Sequence, residues 1–370
     1  VKTCSGSCSS RKLLLTNWSL RKTRGASYQA LFRLPDAVKD RTVPLIEITP
    51  PDFDFEAWTP SKSIDDHVAK FAARFRAKWG TRLALLDCGL LDPAEVMQGG
   101  KHPMLYLCEE AFAQGATLVP VIRLNSNAGY RTAVRAANAL MQTGVILRCS
   151  LDEALDPDFD RNVGVALQQL GVTIAECDVV LDLEAPAWDP QDVLINIVTA
   201  AIQASNAMAT ARSLILAGTS FPASMGEVTG PIQFWPRREW TFFRALLANL
   251  GETLRKPTFA DYAIAANGYS QMDMRKVKPS ATIRYACDDG WIIAKGVNVR
   301  DNGFGQYRGC SGTVTGSAHF LGSGFSPGSD YIEQCRDGIA GTGSLSTWRW
   351  VGSNHHITKV VADLATMFGP

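Results

Sequence analysis

An alternation dominates this chain. Short apolar runs of strand type are separated by amphipathic helical stretches, and eight such runs fall within about the first 265 residues. The strand candidates are 13–18, 43–49, 83–88, 118–125, 145–149, 179–184, 214–220 and 259–264. Several are near-continuous Val/Ile/Leu runs, the pattern of parallel strands covered on their outer face. The intervening helices carry their own signals. Ser63 precedes Ile64-Asp65-Asp66 as a cap, and Ile64, Val68, Phe71, Phe75 and Trp79 recur at three and four residues up to Gly80. Asp189-Pro190 reads as N-cap and first turn, and further helices are expected over 130–144 and 237–254. The predicted fold class is α/β: a (β/α)8 TIM-barrel-like domain over residues 1–266, with an open doubly wound sheet as the rival because sequence does not show closure.

After Ala265 the rhythm changes. A polar, turn-rich connection runs from Asn267 to Pro279. Two apolar runs, 282–287 and 291–295, then flank Asp288-Asp289-Gly290, a hairpin signature. With glycine-rich loops and a final helix over 357–368, residues 281–370 read as a C-terminal α+β addition packed on the barrel. A hairpin this small is not stable alone. It is expected over the strand ends as a lid, with a His355–His356 loop beside it.

Composition narrows the function. Lys+Arg total 37 against 36 Asp+Glu, so the net charge of +1 offers no long-range pull on a polyanion, and strong non-specific nucleic-acid binding is not expected. No apolar run reaches the ~18–20 residues of a membrane span, and no leader pattern opens the sequence. Nine cysteines, an odd number scattered through strand and helix patterns, suggest a reduced, cytoplasmic protein. Cys4 and Cys8 lack the second pair that a zinc site requires. Walker-type and Gly-x-Ser-x-Gly motifs are absent.

In a barrel, reactive groups sit at the C-terminal strand ends, and these ends are polar here: Glu47, Asp87, Arg123, Arg148, Asp182 and Glu184. Asp182 and Glu184 lie two apart on one predicted strand and should share a face. They are the candidate acid/base pair or ligands of a divalent metal such as Mg or Mn, with Glu47 and Asp87 as further candidate catalytic acids. Four acids against two arginines would leave a deficit of two positive charges, which a metal, a cationic ligand or protons could supply. A glycosidase pair fits the same spacing, although Val180 stands where chitinase-like strands carry an acid. The plainer reading is that Arg123 and Arg148 pair with the acids and shape the upper layer. Of the five histidines, His67 reads as structural and His102 as a helix start, while His355 or His356 could act as a base or ligand.

Val43-Pro44-Leu45-Ile46-Glu47-Ile48, Ile283-Arg284-Tyr285, Trp291, Lys295-Gly296, Phe325-Ser326-Pro327-Gly328-Ser329-Asp330-Tyr331-Ile332, Trp348-Arg349 and Asn354-His355-His356 occur in that order. Together they resemble the T4-type beta protein family of phages and bacteria. Arg24-Gly25-Ala26-Ser27 departs from the family pattern by lacking an acid at the turn, so the first 26 residues stand apart from the resemblance. The resemblance implies a barrel with a C-terminal addition and a setting of phage–host conflict, and it singles out Glu47, Arg284, Tyr285, Lys295, Arg349, His355 and His356 as pattern positions. The expected function is a hydrolase, phosphodiesterase-, nuclease- or glycosidase-like, acting on a phosphate-containing or nucleic-acid substrate at the barrel mouth. Arg123, Arg148, Arg284, Tyr285, Lys295, Arg349 and His356 are the candidate substrate contacts. The alternative is a non-catalytic module that recognises a phage or host protein through the C-terminal aromatics Trp291, Tyr307, Trp348 and Trp350.

Overall fold

The computed structural model describes residues 12–18, 26–268, 273 and 276–369. The Cys4–Cys8 spacing, the Arg24-Gly25 turn and part of the 267–279 connection lie outside the described residues. All eight expected strands form, the first seven being Lys12–Trp18 (β1), Thr42–Ile48 (β2), Ala84–Asp87 (β3), Leu118–Ile122 (β4), Val145–Ser150 (β5), Cys177–Asp182 (β6) and Ser213–Gly218 (β7). An unforeseen strand, Ile232–Pro236 (β8), intervenes before Thr258–Asp261 (β9). Strands β2 to β7 and β9 make a curled, barrel-like parallel sheet in which each strand pairs with the next. The β1 backbone pairs in parallel with β2 along its whole length and with β9 at Leu13 and Leu14.

Period-two alternation assigns the faces. Leu45, Leu85, Val121, Ile146, Val180 and Ala260 pack together on the concave inner face. Ile46, Leu86, Leu147, Leu181, Leu216 and Phe259 face outward into the main core under the helices. Both faces are buried, which explains the continuous apolar runs. Helix periodicity was legible as well. Ser63 caps Ile64–Val68 by accepting from Asp66 N, but the expected single helix is broken at Ala69-Lys70 and resumes as Phe71–Trp79. Asn127 caps Ala128–Met141, and Arg238–Asn249 follows β8. The helix after β6 is Gln191–Ala204, with Pro190 rather than Asp189 at the N-cap position.

The predicted hairpin exists as Ser280–Ala286 (β10) and Gly290–Asn298 (β11). Its third strand is β8, which comes from the chain before residue 266 and pairs antiparallel with β11. The final helix is Leu345–Phe368, twice the expected length and capped by Ser344 and Thr347. It is therefore helix, not loop, that carries His355 and His356. Ile357, Val360 and Leu364 of this helix pack in the same core cluster as Phe243 and Phe259. Asn354 Nδ2 donates to the carbonyl of Ala30 in the helix Ala26–Phe32, 3.0 Å away.

Candidate functional site

The inner apolar layer ends two residues further along each strand in a polar layer. Glu47 follows Leu45, Asp87 follows Leu85, Arg123 follows Val121, Arg148 follows Ile146, Asp182 follows Val180 and Tyr262 follows Ala260. A strand of strict alternation places these six side chains on the same concave face, at the carboxyl ends of the strands. The sequence thus identified five of the six. Tyr262 was not singled out, although it falls within the expected strand 259–264 and the same two-residue step points to it.

Arg148 is the hub. Its Nε and Nη2 lie 2.8 and 2.7 Å from Asp182 Oδ2, and its Nη1 lies 2.6 Å from Glu47 Oε1 and 3.1 Å from Asp87 Oδ2. Nη2 also donates to the Tyr262 hydroxyl at 2.9 Å, which in turn donates to Asp182 Oδ2 at 2.6 Å. Arg123 grips Asp87 with both Nη atoms, at 3.2 and 2.8 Å, and its Nη2 is 3.7 Å from Glu47 Oε1. Asp87 is fixed further by the backbone N–H of Gly89, 2.7 Å from Oδ1. A Cβ at Gly89 would stand 1.7 Å from Arg123 Nη1, so a side chain there would displace the guanidinium from Asp87.

Burial and charge set the protonation. The Arg148 side chain is only 8% exposed, and burial works against its charge. Asp182, Glu47 and Asp87 outweigh that effect and hold its proton more tightly than usual. Glu47 is pushed the other way. Burial and the Asp87 charge raise its proton affinity, and Arg148 and Arg123 only partly oppose them. Burial, then the Asp182 charge, keeps Tyr262 a neutral phenol. Three carboxylates facing two guanidiniums leave one uncompensated negative charge, and Glu47 is the group best placed to take up the balancing proton.

Glu184 departs from the expected pair. Strand β6 ends at Asp182, and Glu184 adopts a left-handed backbone, φ 55°, with its side chain exposed and accepting from Asn267 Nδ2 at 3.2 Å. The shared face that would have brought the two acids together therefore stops one residue short of Glu184. Asp182 Oδ1 accepts the Glu184 backbone N–H, and Oδ2 already has Arg148 and Tyr262. The donor set does not fit the expected metal. Among the described residues no group of three or more His, Cys, Asp or Glu side chains could hold an ion.

The remaining candidates lie elsewhere. His355 is fully buried: Nε2 donates to the carbonyl of Ala286 at 2.7 Å, Nδ1 meets the hydroxyls of Ser329 and Ser326, and the ring stacks on Tyr285 at 3.8 Å. Because a carbonyl only accepts, the proton sits on Nε2. Burial pulls the ring's proton affinity down to about 3, so His355 is neutral. His356, equally buried, meets Asp261 Oδ2 at 2.7 Å and accepts from the indole N–H of Trp291. Asp261 faces outward, so this pair sits behind the sheet wall rather than at the mouth. Gly328 allows the contact between the helices Pro327–Arg336 and Leu345–Phe368; a Cβ there would stand 2.4 Å from the Val351 carbonyl oxygen. Tyr285 is buried and receives the N–H of Leu321. Lys295 donates to the carbonyls of Met225 and Val228, which fastens the loop after β7 instead of facing the acids. Arg284 is half-buried against Phe221, and Arg349 is exposed. Trp291, Tyr307, Trp348 and Trp350 are buried, 8% exposed at most, so they are core and not a recognition surface. His67 Nε2 meets the Thr49 carbonyl in the core, and His102 caps its helix by accepting from Met104 N.

A curled parallel sheet with a buried arginine–carboxylate layer at its carboxyl ends defines an α/β barrel-like protein. A model of the Beta protein family matches residues 19–362, and the chain belongs to that family. No curated relative matches it. Among solved structures it is similar to triosephosphate isomerase from Bartonella henselae, at 13% identity and TM-score 0.34 over 68% of this chain and 93% of that one. It is also similar to 3-dehydroquinate dehydratase from Enterococcus faecalis, at 13% identity and TM-score 0.33 over 68% and 88%. Among the described residues no helix is long and apolar enough to cross a membrane.

Proposed function

We propose that the chain is a complete (β/α)8 barrel whose mouth is an acid–base site: a hydrolase of phosphate-containing or nucleic-acid substrates, acting in phage–host conflict. The β1 backbone, paired on both sides, supports the closed ring. One observation carries the chemistry. Glu47 holds a raised proton affinity while 6% of its side chain stays exposed, and Arg123, 25% exposed, lies 3.7 Å from it. A protonable carboxyl beside an accessible guanidinium can transfer a proton to a leaving group while the cation holds the substrate anion. Asp182, Asp87 and Tyr262 position Arg148, and Arg148 positions Glu47. Binding an anion at Arg123 compounds the local negative charge unless Glu47 is protonated, so binding and protonation are coupled. The seven cysteines among the described residues are buried and free of disulfides, which suits a cytoplasmic setting.

The test is a panel of phosphomonoesters, phosphodiesters and short oligonucleotides against the full chain and its Glu47→Gln, Arg123→Gln and Gly89→Ala variants. Glu47→Gln should lower kcat by about 10²–10⁴, the range of general acid–base catalysis. Arg123→Gln should raise KM, and Gly89→Ala should reproduce that effect by displacing Arg123. Undiminished turnover in Glu47→Gln sinks the assignment. A second reading, a non-catalytic module for a phage or host protein, is favoured by the hairpin at 53–60. Its Trp58 is 73% exposed and clusters edge-to-face with Phe53 and Phe55, beside a groove of ≈ 580 Å³ that includes Pro50, Ile64 and Glu95. Silence across the whole panel would turn attention to that surface.

A further inference from the structure

Strand β8 is the open edge of the three-stranded sheet β8–β11–β10. Its ladder with β11 is bounded by two hydrogen bonds, from Lys295 N to the Pro231 carbonyl at 2.9 Å and from Arg237 N to the Asp289 carbonyl at 2.8 Å. In an antiparallel ladder, residues that bond the partner strand alternate with residues whose N–H and C=O point away from it. Ile232 stands opposite Ala294, Phe234 opposite Ile292 and Pro236 opposite Gly290, which fixes that alternation. Gln233 and Trp235 therefore bond β11, while Ile232 and Phe234 turn both backbone groups outward. Among the described residues no strand pairs with that side. Pro231 and Pro236, at either end, supply no N–H and confine the open stretch to the residues between them.

The side chains along this edge add a second observation. On the face that carries Ile232 and Phe234, the neighbouring Ile292, Ala294, Ile283 and Tyr285 are buried in a core cluster of the C-terminal segment. At the edge that cover ends: Ile232 is 45% and Phe234 47% exposed. The Phe234 ring is nonetheless held, lying over Gly290, where a Cβ would stand 2.2 Å from its Cζ, and beside the His319 ring at 6.0 Å. Folds ordinarily guard a sheet edge with charged side chains, lysine above all. From Val228 to Pro236 there is no Asp, Glu, Lys or Arg.

We propose that β8 is a self-association edge, to which a second copy of this chain adds its own β8 antiparallel about a twofold axis at Gln233. The edge is its own complement. With Ile232 of one copy opposite Phe234 of the other, two N–H groups from each copy meet two carbonyls of its partner, about four hydrogen bonds in all. The same register sets an aliphatic side chain against an aromatic one on a single face, a favourable cross-strand pair made twice. The flanks match in sign as well. Antiparallel pairing turns the end of β8 beside exposed Glu227 toward the other copy's end beside Arg238, which is 44% exposed despite its pair with Asp189. An unrelated extended peptide would satisfy the same hydrogen bonds; the matching length, side-chain pairs and flanking charges favour a second copy. A contact built on one short strand per copy falls at the small end of interfaces, below about 1,200 Å², so the dimer is reversible. The inference goes beyond the acid–base reading of the mouth and does not depend on it.

Sedimentation velocity of the full chain over about 1–200 μM tests this, the affinity range of a small interface. The weight-average mass should climb from one chain toward two. Ile232→Pro deletes an outward N–H and no bond to β11, and should weaken association by about tenfold with the circular dichroism of the monomer unchanged. Phe234→Lys, which places a charge on the exposed face, should abolish association. Hydrogen exchange at the Ile232 and Phe234 amides should slow as concentration rises, while Gln233 and Trp235, already bonded to β11, stay constant. Trp58→Ala, in the exposed aromatic cluster of the 53–60 hairpin, should leave association intact. A wild type that stays monomeric throughout, or a dimer that survives both Ile232→Pro and Phe234→Lys, overturns the proposal. Loss in Phe234→Lys with full retention in Ile232→Pro would mean an apolar contact without strand pairing. Loss in Trp58→Ala alone would place the interface at the hairpin, and either result sinks the β8 assignment.

Discussion

Replacing Arg148 by methionine tests the polar layer most directly. Methionine keeps an unbranched stem of similar length and removes every donor. In the folded protein this strips Asp182 of two contacts and Glu47 and Asp87 of one each, and it removes the donor to the Tyr262 hydroxyl. Arg123 remains, but it grips only Asp87 and lies 3.7 Å from Glu47. Removing one partner from a buried, hydrogen-bonded ion pair costs about 3–5 kcal/mol, because the other charge stays buried without its counter-charge. At neutral pH the loss should fall in that range, a large share of the total stability of a typical domain. The pH dependence has a definite sign. Glu47 already has a raised proton affinity, and Arg148 is the strongest influence opposing it. Without Arg148 its folded pKa rises further above the unfolded value, so the variant's stability is fullest below about 4.5 and is lost as pH rises. The gap between wild type and Arg148→Met should therefore be widest at pH 7–8 and shrink toward pH 5. Denaturant unfolding at pH 5 and pH 7.5, read by far-ultraviolet circular dichroism, measures both. Adding Asp182→Asn to the variant should recover part of the loss. If Arg148→Met matches wild type within ~0.5 kcal/mol at pH 7.5, or its cost does not shrink in acid, the charge argument is wrong.

Two further outcomes follow from the wall of the sheet. Glu239 is buried, accepts from Ser220 Oγ, and its second oxygen makes no hydrogen bond among the described residues and lies 3.8 Å from Arg237 Nε; burial raises its pKa to about 7. A carboxyl raised from about 4.5 to about 7 favours the fold below the lower value and disfavours it progressively up to the higher one, by about 3 kcal/mol. Glu239→Gln should therefore gain on the order of 3 kcal/mol over wild type between pH 5 and pH 8, and parallel pH profiles of the two in denaturant titrations would contradict this. Deleting residues 281–370 should abolish folding of the remainder, since it removes Ile357, Val360 and Leu364 from the main core and β11, the strand that pairs with β8. A soluble 1–280 fragment with cooperative unfolding would show instead that the segment is an independent module.

The sequence determined what is local. Runs such as 83–88 and 179–184 read as buried strands, and the cap at Ser63 announced its helix, because propensity, periodicity and capping act within a few residues. The two-residue step from an apolar inward position to Glu47, Asp87, Arg123, Arg148 or Asp182 was legible for the same reason. Family membership was readable from the ordered motifs. Tertiary structure decided the rest. Whether Glu184 joined Asp182 depended on where β6 ends, a boundary set by pairing with β7 and not by the alternating pattern itself. Strand β8 went unforeseen, since only its partner β11, some sixty residues later, supplies its hydrogen bonds. Asn354-His355-His356 looked reactive because histidines are rare here, yet carbonyls, hydroxyls and Asp261 contributed from distant segments turn them into buried struts of one long helix. Arg284 shows the converse: nothing beside it in sequence says that its Nε is left without a hydrogen bond among the described residues. A counter-charge comes from across the fold, and only the folded chain shows whether it arrives.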